Sequence, residues 1–82
     1  EIVLICWRGG QSSDIHGHPK MGCLMKILEG NLIEQIFNKN KTLIKQNHRK
    51  TGDISYMEDN EILHKVINKM EDSFTLHIYP LQ

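Results

Sequence analysis

The residues of this chain that are best suited to chemistry are two histidines separated by a single glycine. His16 and His18 flank Gly17, and a third histidine, His64, follows far downstream. Residues two positions apart on a β-strand point to the same face, so the pair can present two ring nitrogens side by side. A third imidazole from a distant strand would complete a site for one metal ion. Zinc, copper, iron and nickel all accept imidazole ligands.

Histidine pairs of this kind also occur in solvated turns, so the surrounding residues decide between the two interpretations. Gly10 precedes the pair, and Cys23 and Gly30 follow it. Together with His64, the flanking glycines favour the metal site over the solvated turn.

A second set of polar side chains lies near the end of the chain. Thr75, His77 and Tyr79 alternate along one face of a predicted strand. A hydroxyl, an imidazole and a phenol in a row can form a hydrogen-bonded relay, although the same three could also line a solvent-facing side. The alternate positions are apolar and are expected to face a core: Phe74, Leu76 and Ile78. We therefore expect both faces of this last strand to be buried.

Seven short segments have the composition of β-strands, each bounded by residues that favour turns. They are residues 2–7, 23–28, 32–37, 42–46, 54–57, 62–67 and 73–79. Residues 61–70 could also be read at helical spacing, but their branched side chains favour a strand. Short strands at regular turn spacing predict an all-β fold, either an antiparallel sandwich or a barrel.

Three further expectations concern how these strands pack. Glu29, Gly30 and Asn31 are expected to form a tight turn that joins the second and third strands as a hairpin. Cys6 lies in the apolar first strand and is expected to be a small buried side chain. The basic residues between positions 39 and 50 are expected to line the solvated side of a hairpin.

Length and composition narrow the functional classes. The 82 residues leave room for one domain, and because the chain opens on Glu1 we expect it to be a piece of a longer protein. Ten basic and ten acidic residues cancel, which indicates neither nucleic acid nor an acidic membrane surface as a partner. No apolar run approaches the roughly 20 residues that cross a bilayer. Two cysteines are too few for a disulfide scaffold, so we expect a reducing, cytoplasmic location. We also expect a monomer.

The pattern of these residues resembles known motifs. Cys23 stands where most cupins place a glutamate ligand, and His64 and Asn68 match the end of the second cupin motif. Four residues match the spacing of the first cupin motif: Gly10, His16, His18 and Gly30. More narrowly, residues 5–7, 12–18, 23–32, 63–66 and 76–79 resemble the cysteine dioxygenase family. The combination of a cysteine at position 23 and a tyrosine at position 79 makes the resemblance specific, because few other cupins have both.

This resemblance implies a partial cupin-type antiparallel jelly-roll barrel and a non-haem Fe(II) enzyme that adds dioxygen to the thiol of L-cysteine. The iron ligands it implies are His16, His18 and His64, and zinc or nickel could take the place of iron. Cys23 and Tyr79 correspond to the pair that forms a thioether beside the iron. Thr75 and His77 would hold the phenol in place. Trp7 would line the pocket wall.

Three neutral imidazoles leave the full dipositive charge on the metal, which favours an anionic thiolate. The family binds the substrate carboxylate through an arginine that precedes the first strand; Arg8 does not match that position and is expected to be a surface charge. Without that arginine, we expect these residues alone to oxidise cysteine at least about a hundredfold more slowly than the intact parent. Two alternatives stay open: a non-catalytic metal-binding cupin module, and a dioxygenase of a related thiol such as cysteamine or 3-mercaptopropionate.

Overall fold

A computed structural model describes residues 1–17, 22–57 and 62–80. The regular structure within these ranges consists of β-strands, and all seven predicted strands are present. In chain order they are β1 (Ile2–Trp7), β2 (Cys23–Glu29), β3 (Asn31–Asn38), β4 (Leu43–Lys50), β5 (Ile54–Met57), β6 (Ile62–Ile67) and β7 (Ser73–Ile78). The described residues form no helix of the length and apolarity needed to cross a membrane.

The strands form two antiparallel sheets. The four-stranded sheet has the order β1-β7-β2-β5, and the three-stranded sheet has the order β4-β3-β6. Every strand pair is antiparallel. The predicted all-β antiparallel fold is therefore confirmed, and the repeated passage of the chain between two sheets is typical of a partial jelly roll.

The apolar core lies between the two sheets. Trp7 from β1 and Met25 and Ile27 from β2 cluster with Leu32 from β3 and Val66 from β6. All five side chains are buried, and burying a large apolar side chain contributes about 1.5–3 kcal/mol. This cluster fixes which face of each strand points inward, and so determines which polar side chains share the interior with it.

The predicted hairpin between β2 and β3 is wrong. β2 pairs with β5 and β7, whereas β3 pairs with β4 and β6, so the chain passes from one sheet to the other at Gly30. Gly30 has a φ of 115°, and a Cβ at this position would overlap Ser73. Glycine at positive φ serves a corner between two sheets as well as a hairpin turn, so the residue type did not distinguish the two connections.

The β4 strand is longer than predicted, because it continues to Lys50 rather than ending at position 46. Its last residues are polar, and their pairing with β3 extends to Asn31 opposite Lys50. Most of β4 is exposed, as expected for the basic hairpin strand, but Arg49 is half-buried and turns towards the interior.

The outer face of the four-stranded sheet is apolar and exposed, which corrects two predictions. Cys6 was expected to be buried but is exposed, as are Ile2 and Leu4 on the same face. On the neighbouring β7 this face ends at Ile78, which is also exposed, so only the face that carries Thr75 is buried. The sequence of β1 is a continuous apolar run, which does not show which of its faces points inward. In β7 the buried face is the polar one.

Candidate metal centre

The edge of the three-stranded sheet brings two of the predicted metal ligands together. The segment of residues 12–16 runs antiparallel to β6, with bridges from Ser12 to Ile67 and from His16 to His64. His16 and His64 exchange both backbone hydrogen bonds, at 3.0 Å and 2.9 Å. Residues that pair in this way project their side chains from the same face. The backbone pairing therefore sets the two imidazole rings side by side.

The two rings converge through their Nε2 atoms, which lie 3.0 Å apart. The ring centroids are 4.5 Å apart and the ring planes are inclined by 65°. His64 is buried, whereas His16 is partly exposed.

The hydrogen-bond partners of the Nδ1 atoms determine whether each Nε2 carries a proton or a lone pair. Nδ1 of His16 lies 2.8 Å from the backbone oxygen of Asp14, and Nδ1 of His64 lies 2.9 Å from Oε2 of Glu34. A carbonyl oxygen and an ionised carboxylate only accept hydrogen bonds, so both Nδ1 atoms donate. In the neutral rings each Nε2 then carries a lone pair. Two lone pairs aimed at each other repel unless a proton or a metal cation lies between them.

Glu34 is a residue of this centre that the sequence analysis missed. It lies on β3 with no solvent exposure, and its carboxylate accepts hydrogen bonds from His64 Nδ1, Arg49 Nε at 2.9 Å and the Ser55 hydroxyl at 2.8 Å. Burial alone would raise the pKa of Glu34, but the bonds from His64, Ser55 and Arg49 lower its pKa to about 2. The carboxylate is therefore ionised in the interior of the sandwich.

A signal for Glu34 was present in the sequence. Positions 32, 34 and 36 share one face of β3, and the first and last of them are the buried apolar residues Leu32 and Ile36. A charged residue between two inward-facing apolar ones is almost never fully buried unless it is paired. A glutamate at a position where the strand pattern requires an apolar residue predicts a buried partner for Glu34, although it does not identify His64.

The third predicted ligand, His18, lies outside the described residues. Within residues 1–17, 22–57 and 62–80, no group of three or more His, Cys, Asp or Glu side chains is arranged to hold a metal ion. The structure thus brings His16 and His64 together and leaves the position of His18 as a prediction.

Cys23 and Tyr79, the predicted thioether pair, lie on neighbouring chains of the four-stranded sheet. β2 pairs with β7 through Leu24 opposite Ile78, so continuing the register by one residue sets Cys23 opposite Tyr79. Burial raises the pKa of the Cys23 thiol, although hydrogen bonds with Tyr79 and the Ile78 backbone act in the opposite direction. Burial and the neighbouring Cys23 raise the pKa of the Tyr79 phenol. Both groups are therefore protonated at neutral pH and within hydrogen-bonding reach of each other.

A chain of polar contacts runs along the buried face of β7. The Trp7 indole Nε1–H donates to Thr75 Oγ1 at 2.8 Å, and the Thr75 hydroxyl lies 2.8 Å from His77 Nε2. Because indole only donates, the hydroxyl can accept from Trp7 and donate to His77. The rings of His77 and Tyr79 are nearly parallel, with centroids 6.4 Å apart. Trp7 thus packs in the core and holds Thr75, and its role in a pocket wall remains a prediction.

His77 lies close enough to the histidine pair for the charges of these residues to affect its pKa. Burial lowers the pKa of His77, and the charges of His64 and His16 lower it further. The ring is therefore neutral at neutral pH. Its Nδ1 is buried and has no hydrogen-bond partner among the described residues.

Asn68 and Arg8 were also considered from the sequence, and the structure shows where each side chain lies. Asn68 is buried, and its side-chain amide donates to the backbone oxygens of Trp7, Arg8 and Glu71 at 2.8–2.9 Å. It thereby ties the end of β1 to the turn before β7. The Arg8 side chain is exposed, as expected.

A comparison with known families decides the affiliation of the chain. The family described as cysteine dioxygenase type I matches residues 1–81. The chain belongs to the cysteine dioxygenase family. Among individual proteins it is similar to cysteine dioxygenase type 1 of Rattus norvegicus, with 33% identity over 86 aligned positions, and of Bos taurus, with 34%. Each alignment covers 95% of this chain and 43% of the relative, so the chain spans less than half the length of these relatives.

Solved structures support the fold of this cysteine dioxygenase family member. The Drosophila melanogaster CENP-C cupin domain superimposes with a TM-score of 0.81 at 10% identity, covering 94% of this chain and 58% of that one. Peruvianin-I, a cysteine peptidase from Thevetia peruviana latex, superimposes with a TM-score of 0.76 at 17% identity, covering 93% and 47%. At such low identities the likeness concerns the fold alone, and it confirms the cupin-type architecture.

The cysteine dioxygenase family is metal-dependent, and the donor set of this chain fits a metal ion. Two metal–nitrogen bonds of about 2.1 Å that meet at a right angle place their nitrogens about 3.0 Å apart. The observed separation between His16 Nε2 and His64 Nε2 is 3.0 Å. The other nitrogen of each ring donates to an oxygen, which is the usual arrangement for histidines that bind metals. The spacing and the hydrogen bonding of these two histidines are both compatible with their binding one metal ion.

Proposed function

We propose that this chain is the metal-binding core of a non-haem Fe(II) thiol dioxygenase that converts L-cysteine and dioxygen into cysteine sulfinate. The observation that carries the proposal is the convergence of His16 Nε2 and His64 Nε2, 3.0 Å apart, in a chain that belongs to the cysteine dioxygenase family. The reaction transfers both oxygen atoms of dioxygen to the thiol sulfur, which loses four electrons as dioxygen gains four.

His16, His64 and His18 would hold the iron, and zinc or nickel could take its place. Bound iron supplies the redox chemistry through which dioxygen and the thiolate react. A centre of neutral imidazoles keeps a net positive charge, which favours the thiolate over the thiol. The site then orients the two reactants, and orientation of this kind can contribute about 7–11 kcal/mol in favourable cases.

The remaining predicted site residues would shape the space beside the metal. Trp7 fixes Thr75, Thr75 fixes His77, and the His77 ring lies against Tyr79. This chain of contacts limits the movement of the phenol. A neutral, buried His77 would add no competing positive charge near the two histidines that are proposed to bind the metal.

We further propose that Cys23 and Tyr79 form a thioether in the iron-loaded protein. The bond would join Cys23 Sγ to a ring carbon of Tyr79 next to its hydroxyl. The thiol hydrogen and the ring hydrogen leave as two protons and two electrons, which dioxygen accepts to give hydrogen peroxide. Peptide mapping after aerobic turnover should find a linked peptide pair that is lighter by two hydrogens than the two separate peptides. Finding only the separate peptides would contradict the crosslink.

The reaction is tested by loading the protein with Fe(II) under anaerobic conditions, adding dioxygen and analysing products by mass spectrometry. The substrates to compare are cysteine, cysteamine and 3-mercaptopropionate. We expect cysteine sulfinate as the main product, and loss of product in both His16→Ala and His64→Ala. His48→Ala is the matched control, because His48 is an exposed histidine on β4. Preferred oxidation of another thiol would change the substrate, and iron binding without any sulfinate would favour a non-catalytic metal-binding cupin.

We also propose a reducing, cytoplasmic setting and a monomeric protein whose partners are a small thiol and dioxygen. Both cysteines are free thiols, and the function requires Cys23 to remain available. Subcellular fractionation and size-exclusion chromatography with light scattering test these two statements. A secreted protein or a stable dimer would contradict them.

A further inference from the structure

The proposed ligand set contains no carboxylate, yet a carboxylate lies directly behind one of its histidines. Glu34 has no solvent exposure and contacts His64 Nδ1 at 2.9 Å, on the side of the ring opposite to Nε2. Mononuclear iron oxygenases with two histidines carry their negative charge on a ligand carboxylate. Here the negative charge lies on Glu34, which is separated from the metal position by the His64 ring.

The carboxylate of Glu34 is itself held from three directions. His64 binds it from β6 and Arg49 from β4, both in the same sheet as Glu34. Ser55 binds it from β5 in the opposite sheet, with its hydroxyl 2.8 Å and 3.0 Å from the two carboxylate oxygens. This network spans the sandwich, so the carboxylate cannot rotate without breaking a bond to one of the two sheets.

We propose that Glu34 is a positioning residue of the metal centre. Its carboxylate, anchored by Arg49 and Ser55, holds His64 as the tautomer with the proton on Nδ1 and aims the Nε2 lone pair at the metal. It also supplies the negative charge that neutral imidazole ligands lack. This inference rests on the proposed metal site. A hydrogen-bonded carboxylate of this kind typically changes metal affinity by about 10- to 100-fold.

The amide of Glu34→Gln provides the sharpest contrast. Glutamine keeps the shape of the side chain but loses the charge and can turn an NH₂ group towards His64 Nδ1. Nδ1 would then accept, and the proton would move to Nε2, where it blocks metal binding. Glu34→Asp keeps the charge but withdraws the carboxylate from His64. The matched control is Glu29→Gln, the same change at an exposed residue at the end of β2.

The first measurement is the tautomer of His64 in the metal-free protein, by long-range proton–nitrogen NMR correlation at alkaline pH. We expect the proton on Nδ1 in the wild type and in Glu29→Gln, and a shift towards Nε2 in Glu34→Gln. A wild-type proton on Nε2 would overturn the proposal before any variant is made. An unchanged tautomer in Glu34→Gln would also overturn it.

The second measurement is the affinity for Fe(II) and Zn(II), by competition with a coloured chelator. We expect both affinities to fall at least about tenfold in Glu34→Gln and at least about fivefold in Glu34→Asp, with Glu29→Gln within twofold of the wild type. Affinities that stay within twofold in a folded Glu34 variant would reduce Glu34 to a structural ion pair. If the wild type binds neither metal, the proposed function fails, while the NMR result still decides whether Glu34 positions the ring.

Discussion

Replacing Thr75 with valine tests whether the polar contacts behind the candidate site stabilise the fold. Thr75 is fully buried, and its hydroxyl accepts from Trp7 Nε1 and lies 2.8 Å from His77 Nε2. Valine has nearly the same shape without the hydroxyl, so Thr75→Val leaves one buried donor and one buried acceptor without a partner. Each loss costs about 1–3 kcal/mol, and we therefore expect the free energy of unfolding to fall by about 2–6 kcal/mol.

Urea denaturation followed by circular dichroism measures this change. The matched control is Thr75→Ser, which keeps the hydroxyl and loses one methyl group, so it should cost about 1 kcal/mol. In a Trp7→Phe background the unpaired indole is absent, and the cost of Thr75→Val should shrink by at least about 1 kcal/mol. Equal costs for valine and serine, or the same valine cost in both backgrounds, would refute the hydrogen-bond reasoning.

Three further predictions follow from single positions. Gly30→Ala should lower the free energy of unfolding by at least about 1–3 kcal/mol in urea denaturation, because φ is 115° and the new Cβ would overlap Ser73; a neutral effect would contradict the corner between the sheets. Glu34 has a folded pKa of about 2, below its unfolded value near 4.3, so its contribution on the order of 3 kcal/mol is present above about pH 4.3 and is lost as the pH falls towards 2. Denaturation across this range should show a flatter acid limb for Glu34→Gln, and identical limbs would contradict the ionised carboxylate. Cys23→Ala should lower the pKa of the Tyr79 phenol, because burial and the Cys23 thiol both raise that pKa in the wild type. Ultraviolet titration of the phenolate measures the change, and an unchanged pKa would show that the two groups are not in contact.

The sequence predicted the strands well because each one is short, branched and bounded by turn residues. It did not predict which strands pair. Gly30 has the same requirement for positive φ in a hairpin and in a corner between sheets, and the difference depends on β5 and β7, which are distant in sequence. The faces of β1 were also undetermined, because an apolar run such as that around Cys6 lacks the alternation that separates an inner from an outer face.

For the candidate site, spacing and resemblance identified His16 and His64, and the structure sets these two residues opposite each other. They did not identify Glu34, because its partners come from three other strands and a local pattern contains no information about distant pairing. Cys23 and Tyr79 illustrate the same limit. Their residue types were informative, but their contact depends on the register between β2 and β7.

Labelled dioxygen tests the proposed reaction most directly. The Fe(II)-loaded protein would be mixed with cysteine and an equal mixture of ordinary and isotopically heavy dioxygen, and the product analysed by mass spectrometry. A dioxygenase transfers both atoms of one molecule, so we predict cysteine sulfinate that contains either two heavy oxygens or none, and loss of this product in His64→Ala. Sulfinate that carries mainly one heavy oxygen, or no sulfinate from protein with iron bound, would contradict the proposed function.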